Sequence, residues 1–384
     1  MQSIVSYFWK EAKALSGYRT GISLHSHTSQ SHESLNFLRE MSRSFLPLKW
    51  ILATQKRKIA RVSAIEMDLA TGYWTPPLSP RAAFELEKRQ IEDQLDLEAI
   101  VSLSDHDNIE AGQLLQVVPV AKEVPISLEW TVPYLNAGFH LGVHNLPAAH
   151  APKIMADLAA YTANPEPECL LDLFETLHAN REVLIVLNHP LWDLWSLKQP
   201  RFGWLLTDFL NKHLRYIHAF ELNGLRCRTE NREVAQLAFR WNQPVISGGD
   251  RHGCEPNANV NLTNAGSFAE FVEEIRVRRQ SHVMFMPQYA APYTLRCFQT
   301  FADAIREYPD LPGTARFWDD RVFHSDRYCV SKPFSTLWSK PPRLLNGFFR
   351  LAQNFEGSKT RGLLAAAGRN PSKLRVTMKD RQEA

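Results

Sequence analysis

Residues 20–32 read TGISLHSHTSQSH: a short apolar, β-rich run ending in two histidines two positions apart, with another at position 32. Side chains i and i+2 of a strand point the same way, so His25 and His27 can grip one ion or a neighbouring pair. The arrangement recurs down the chain. AIVSLS (99–104) leads into Asp105-His106-Asp107, VPISLE (124–129) ends in Glu129, and GFHLGV (138–143) holds His140. VLIVLN (183–188) leads into His189-Pro190, IHAFEL (217–222) carries Glu221, and PVISGG (244–249) leads into Asp250-Arg251-His252. A further strand is expected at HVMFM (282–286). Continuous apolar runs, rather than strict alternation, suit strands buried on both faces of a parallel sheet. Between them lie helix signals. Ser79-Pro80 opens a helix running toward Leu97, and Ser267 with Glu270 has capping-box spacing before FVEEIRVRR. Strands alternating with helices predict an α/β barrel or doubly wound sheet. In a parallel barrel the C-terminal strand ends converge on one face, where active sites sit. Nearly every expected strand delivers a metal-capable side chain there.

Composition sets wider bounds. The chain has 384 residues, 44% hydrophobic and 22% charged, enough for a sizeable core. Its net charge of +3 points to no partner, but residues 331–384 hold 11 Lys/Arg against 3 Asp/Glu. Such a basic end either attracts a polyanion or is a solvated surface. Cys169, Cys227, Cys254, Cys297 and Cys329 form no CxxC pair, which argues against a disulfide framework or zinc knuckle and suits a reducing compartment. No run approaches the ~20 apolar residues of a membrane span, and the N-terminus does not read as a secretory signal. The expected location is cytoplasmic. Residues 33–78, basic between Arg39 and Arg61, read as an insertion in a catalytic unit covering 1–290. Residues 291–384 read as a basic C-terminal extension whose last residues lack fixed structure.

The segments HSHT, SLSDHDN, SLEW, FHLG, NHP and GGDRH, in this order, resemble the motifs of the polymerase and histidinol phosphatase (PHP) superfamily of metal-dependent phosphoesterases. The resemblance covers 20–32 and 79–255. It implies a distorted (β/α)7, TIM-like barrel with a site for two or three divalent metal ions. By motif, His25 and His27 would be ligands, His106 the histidine of the second motif, and Glu129 the carboxylate bridging two ions. His140, His189, Asp250 and His252 would complete the set. Many members have an aspartate soon after the first motif; this chain offers His32, a choice linked in some members to a third metal. Arg251 stands where the family commonly has a small residue.

Mixed imidazole and carboxylate ligands suit Zn, Mn or Fe. A metal-bound water has its pKa lowered to about 7, giving hydroxide near neutrality, and paired ions clamp phosphoryl oxygens. The catalytic candidates are therefore Glu129 as bridging carboxylate, Arg251 as a phosphate-binding group and Asp105. Asp105, Asp107 and Glu221 are expected to orient the histidines. Each has a structural alternative: His144 rivals His140, a Ser-rich loop can simply expose His32, and a salt bridge would equally explain Arg251. His150, His178, His213, His218, His282 and His324 fall at no motif and read as structural. Trp192, Trp195 and Trp204, after NHP, read as packing residues or pocket lining. The expected function is hydrolysis of a phosphorylated small molecule or nucleotide. The alternatives are a nuclease or phosphodiesterase acting on polynucleotide ends, favoured by the basic segments, and a non-catalytic metal-binding scaffold.

Overall fold

The run Leu184–Asn188 shows why these strands lack alternation: it is buried at every position. Leu184 and Val186 face one hydrophobic cluster, whereas Ile185 and Leu187 face another. A strand covered on both sides can be apolar throughout. The computed structural model containing it describes residues 2–10, 15–35, 72–308, 317–325 and 330–337, together with Trp50, Ala53, Thr54, Arg57, Arg343 and Gly347. The basic stretch of the expected insertion, apart from those isolated positions, and the C-terminal residues beyond 347 lie outside the described residues.

The strands are β1 (Gln2–Tyr7), β2 (Thr20–Leu24), β3 (Glu33–Ser34), β4 (Tyr73–Trp74), β5 (Glu98–Ser102), β6 (Asp105–His106), β7 (Ile126–Tyr134) and β8 (Ala137–Leu146). They continue with β9 (Leu184–Asn188), β10 (Ala219–Asn223), β11 (Val245–Gly248), β12 (Asn259–Thr263), β13 (Gln280–Phe285), β14 (Val322–Ser325) and β15 (Ser331–Pro333). The helices are α1 (Pro80–Leu95), α2 (Glu110–Gln116), α3 (Ala151–Ala163), α4 (Pro167–Ala179), α5 (Arg201–His213), α6 (Arg228–Arg240), α7 (Phe268–Glu273) and α8 (Tyr293–Ile305). Ser79 caps α1 by accepting the Ala82 N–H, with Pro80 in the first turn. Ser267 caps α7 by accepting the Glu270 N–H.

Among the described residues the strands pair as three sheets, ordered β1-β13-β12-β2-β5, β11-β10-β9-β8-β7-β6 and β15-β14-β4-β3. The fold is thus mixed α/β, and its strands do not pair into one closed ring. The reason is β12, which pairs antiparallel with Thr20–Ile22 of β2. It takes an edge that a ring would give to β11. Past Leu24 the two large sheets are nevertheless stitched together. Gly249 N–H donates to Leu24 C=O at 2.9 Å, Asp250 N–H to His25 C=O at 2.7 Å, His27 N–H to Arg251 C=O at 2.9 Å, and Ser104 N–H to Ser26 C=O at 3.0 Å. Inside the seam, Ile22 and Leu24 share a core with Leu184, Val186, Ala219, Ile246 and the α7 side chains Phe268, Phe271 and Val272.

The all-parallel expectation also needs correcting. β8 is antiparallel to both β7 and β9. Only Leu135 and Asn136 separate β7 from β8, and so short a link reverses the chain, whereas parallel strands need a long crossover. Leu135 takes the positive φ of 53° at that turn. In the two large sheets, β1, β12 and the two-residue β6 were not expected, nor were the strands of the small third sheet. In β12 the inward Asn259 and Asn261 break the apolar run, yet both are fully buried. Asn259 donates to Leu222 C=O and Asn261 to Ser247 Oγ, each at 2.6 Å. Residues past 290 join this assembly: β14 pairs with β4, and Asp303 of α8 accepts the Cys254 N–H at 2.7 Å. No helix of the described residues is long and apolar enough to cross a membrane.

Candidate metal centre

The seam gathers side chains that are far apart in sequence. His25 and His27 follow β2, His106 lies in β6, Glu129 in β7 and His140 in β8, while His189 follows β9 and Asp250 and His252 follow β11. Their donor atoms form three overlapping groups: His25, His27, Glu129 and Asp250; His106, Glu129 and His140; and His27, Glu33, His106 and His252. The antiparallel β8 reaches the site because His140 is paired with Thr131 and with Asn188, beside Glu129 and His189. Three members of the cluster take the left-handed region, with φ at 62° for His25, 54° for Asp250 and 28° for His189. Non-glycine residues occupy this region at a cost, and it persists where surrounding structure over-determines it.

In the first group, His25 Nε2 lies 3.0 Å from Glu129 Oε2 and 3.8 Å from Asp250 Oδ1. His27 Nε2 lies 3.4 Å and 3.5 Å from the same two oxygens. His25 Nε2, His27 Nε2 and Glu129 Oε2 are buried and make no hydrogen bond. Unpaired buried polar atoms are costly and need explaining; three that converge on one point have the form of a cation cage. His25 Nδ1 is 2.5 Å from Glu221 Oε1. An Nδ1–H donated to that carboxylate leaves the Nε2 lone pair for an ion.

Glu129 is shared. Its Oε1 faces His189 Nε2 at 3.0 Å and His140 Nδ1 at 3.1 Å, and accepts from Asn188 Nδ2 at 3.0 Å. His106 Nδ1 stands 3.1 Å from Oε2. In the third group Glu33 Oε2 lies 3.0 Å from His252 Nε2 and 3.2 Å from His106 Nε2. His252 Nδ1 is 2.8 Å from the Asp250 carbonyl, which fixes the proton there and frees Nε2. His27 Nδ1 faces Glu33 and Ser31 Oγ, which is 3.3 Å away. Since a neutral imidazole has a single nitrogen lone pair, we place His27 Nε2 in the first group.

Burial and charge oppose each other throughout. Burial alone would raise the Glu129 pKa, but His25, His140 and His106 hold it well below the usual range. Glu33 and Asp250 are lowered in the same way, by His252, His106 and His27, and by His27, His25 and His252 respectively. Conversely, burial is outweighed at His25 by Glu129 and Glu221, which raise it well above normal, and at His106 by Glu33 and Glu129, which raise it to about 10. Burial takes His27 down to about 3. Three buried carboxylates therefore draw positive charge from protons on histidine, a role that divalent cations can take over.

Several expected roles change. His32 enters none of the groups: it is exposed and stacks on Tyr73, with centroids 4.0 Å apart. Its neighbour Glu33 faces inward instead, because β3 alternates and pairs Glu33 with Trp74. The signal was the period of two in Ser31, Glu33 and Leu35, all buried. Arg251 is not free for a phosphate. Its Nε donates to Glu87 Oε1 at 3.0 Å, Nη1 to Gly253 C=O at 2.7 Å and Nη2 to His27 C=O at 3.1 Å. Asp105 orients no histidine ring: it accepts from Thr28 N–H at 2.5 Å and Thr28 Oγ1 at 2.7 Å, anchoring the turn after His27. Burial raises its pKa to about 7. Asp107 likewise accepts the Thr131 N–H. Glu221 does touch His25 and also accepts the His189 N–H at 2.8 Å. The rival His144 is outside the cluster, with Nδ1 2.8 Å from Ser102 Oγ. Asn223 was missed; its Nδ2 donates to Glu221 Oε2 at 2.9 Å and Asp250 Oδ2 at 3.1 Å.

No family model matches the chain, and no curated protein matches it. Solved structures show slight similarity. An amidohydrolase from Chromobacterium violaceum, with bound sulfate and no metal, is 14% identical over 46% of this chain and 83% of its own, at a TM-score of 0.30. A protein described as a metal-dependent phosphoesterase, from Bifidobacterium adolescentis, is 13% identical over 52% of this chain and 91% of its own, at 0.31. PsfC from Pseudomonas syringae is 14% identical over 74% of this chain and 99% of its own, at 0.36. Likeness at this level carries no argument about activity.

Proposed function

We propose that this protein hydrolyses phosphate esters at a centre of two or three divalent cations (Mn, Zn or Fe). His25, His27, Glu129 and Asp250 would hold one ion; Glu129, His140 and His189 a second; and Glu33 with His252 a third. His106, whose two nitrogens face the second and third groups, would serve one of them. The observation that carries the metal reading is the convergence of three buried, hydrogen-bond-free atoms, His25 Nε2, His27 Nε2 and Glu129 Oε2. Direction toward phosphate esters comes from the ordered motifs that resemble the PHP superfamily. We further read the two stitched sheets as its distorted barrel, opened by β12.

Divalent ions bound there would acidify water and offset charge on phosphoryl oxygens. The chain's own part is positioning. Glu221 holds the proton of His25 on Nδ1, and the Asp250 carbonyl does the same for His252. Asn223 holds the outer oxygen of Asp250, so that carboxylate presents one defined edge to the centre, while Asn188 fixes the orientation of the shared Glu129 through Oε1. His106 and His252 are the partly exposed members of the cluster, so substrate would enter on their side. The test is hydrolysis of an aryl phosphate and a nucleotide panel by protein supplied with Mn²⁺ or Zn²⁺. Turnover that disappears in the His25→Ala/His27→Ala double variant is expected. Inactivity on mono- and diesters alike, with metal demonstrably bound, would end the proposal.

A further inference from the structure

Phosphate recognition at such a centre calls for a cation with donors to spare, and Arg251 has spent its own on Glu87 and two carbonyls. Arg296 is similarly committed, to the carbonyls of Gly224 and Arg226. Arg226 differs in that its side chain donates to no carbonyl among the described residues; it is 9% exposed, and its Nε, like that of Arg296, makes no hydrogen bond. Nε forms an ion pair with Glu230 Oε1 at 3.8 Å, beyond hydrogen-bond reach, and neither atom makes a hydrogen bond. The guanidinium lies over Trp192, with its carbon 3.7 Å from the ring centroid. That ring is 4.9 Å from the His189 ring and 6.4 Å from the His140 ring. Ion-paired only at that distance, this buried guanidinium keeps hydrogen-bond donors free for a closer acceptor.

The loop bearing Arg226 is tied to the cluster by hydrogen bonds. Asn223, at its start, bonds both Glu221 and Asp250. Leu225 N–H closes a turn on Asn223 Oδ1 at 2.8 Å, and Asn231 Oδ1 accepts the Asn223 N–H at 2.8 Å. Arg296 braces the loop's carbonyls from α8. A planar guanidinium matches two phosphate oxygens at once, and stacking on tryptophan fixes its plane.

We propose that Arg226, held against Trp192 beside His140 and His189, binds the anionic oxygens of the substrate's phosphoryl group. The proposal rests on reading the cluster as a phosphoester hydrolase. Its test needs no turnover: inorganic phosphate is titrated into zinc-loaded protein and followed by tryptophan fluorescence and by calorimetry. Arg226→Gln is expected to weaken phosphate binding about 10- to 100-fold, with zinc content and melting temperature unchanged. Arg226→Lys, which keeps charge without the fork, should fall between. The fluorescence response should vanish in Trp192→Phe while calorimetric binding persists. Phosphate affinity unchanged in Arg226→Gln would overturn the proposal. Should that variant fail to fold or to hold zinc, the Trp192→Phe comparison decides: a response lost with Trp192 supports the proposal, and no response in the unaltered protein overturns it. Arg226-dependent phosphate binding without hydrolysis of any ester would instead leave this inference standing and remove the catalytic reading.

Discussion

A pair of adjacent residues divides the expectation from the finding: His32 and Glu33. The sequence presents the histidine as the more obvious ligand, by residue type and by its nearness to His25 and His27. Strand alternation decides otherwise, since Glu33 turns toward His106 and His252 while His32 stacks on Tyr73. Glu33→Ala is therefore expected to lower bound metal by one ion per chain, whereas His32→Ala leaves the stoichiometry unchanged; elemental analysis of the two proteins checks this. The reverse pattern would restore the original ligand assignment. Arg251 teaches a related lesson. Residue type offered both phosphate binding and a salt bridge, and only the position of Glu87 on α1, 164 residues earlier in the chain, selects between them.

At the scale of elements, the strands that were legible are those with continuous apolar runs, because burial on both faces leaves no polar position to confuse the pattern. β12 escaped notice because Asn259 and Asn261 donate their amide N–H groups inside the fold, which no local pattern reveals. The β7–β8 hairpin was legible in principle from the brevity of its link. Gly248 shows how an element's composition serves the site. A Cβ at this β11 position would fall on the Glu221 carboxylate. Gly248→Ala should push Glu221 from His25 and weaken metal binding about 10- to 100-fold, the usual consequence of losing a group that orients a ligand; competition with a chelating dye measures it. Unchanged affinity would show that Glu221 has no such role.

His218 ties β9 to its surroundings in a pH-sensitive way. Its Nδ1 accepts the Ile185 N–H at 2.9 Å, and its Nε2 faces His178 Nδ1 at 3.0 Å. Burial, then Arg276 and His178, hold its pKa well below 6.5. The folded protein keeps this ring neutral, whereas the unfolded chain takes up a proton below about pH 6.5. Stability from this group is thus present above that pH and is lost as pH falls toward the depressed folded value. Urea unfolding of chelator-treated protein should show declining stability from pH 7 to 5, with a shallower decline in His218→Gln. Equal slopes would remove His218 from the account.

Across the whole molecule, the sequence revealed that metal-capable side chains recur at strand ends, from His25 to His252. It could not reveal how the sheets are joined. The two large sheets are stitched between residues 24–27, 104 and 249–251, so among the described residues convergence is achieved without a closed ring. That convergence buries Glu33, Glu129 and Asp250 together, a charge arrangement needing cations for balance. Elemental analysis of protein purified from metal-supplemented medium tests this most directly. Two or three Mn, Zn or Fe ions per chain, falling sharply in the His25→Ala/His27→Ala double variant, are predicted; a metal content near zero in the unaltered protein would contradict the account.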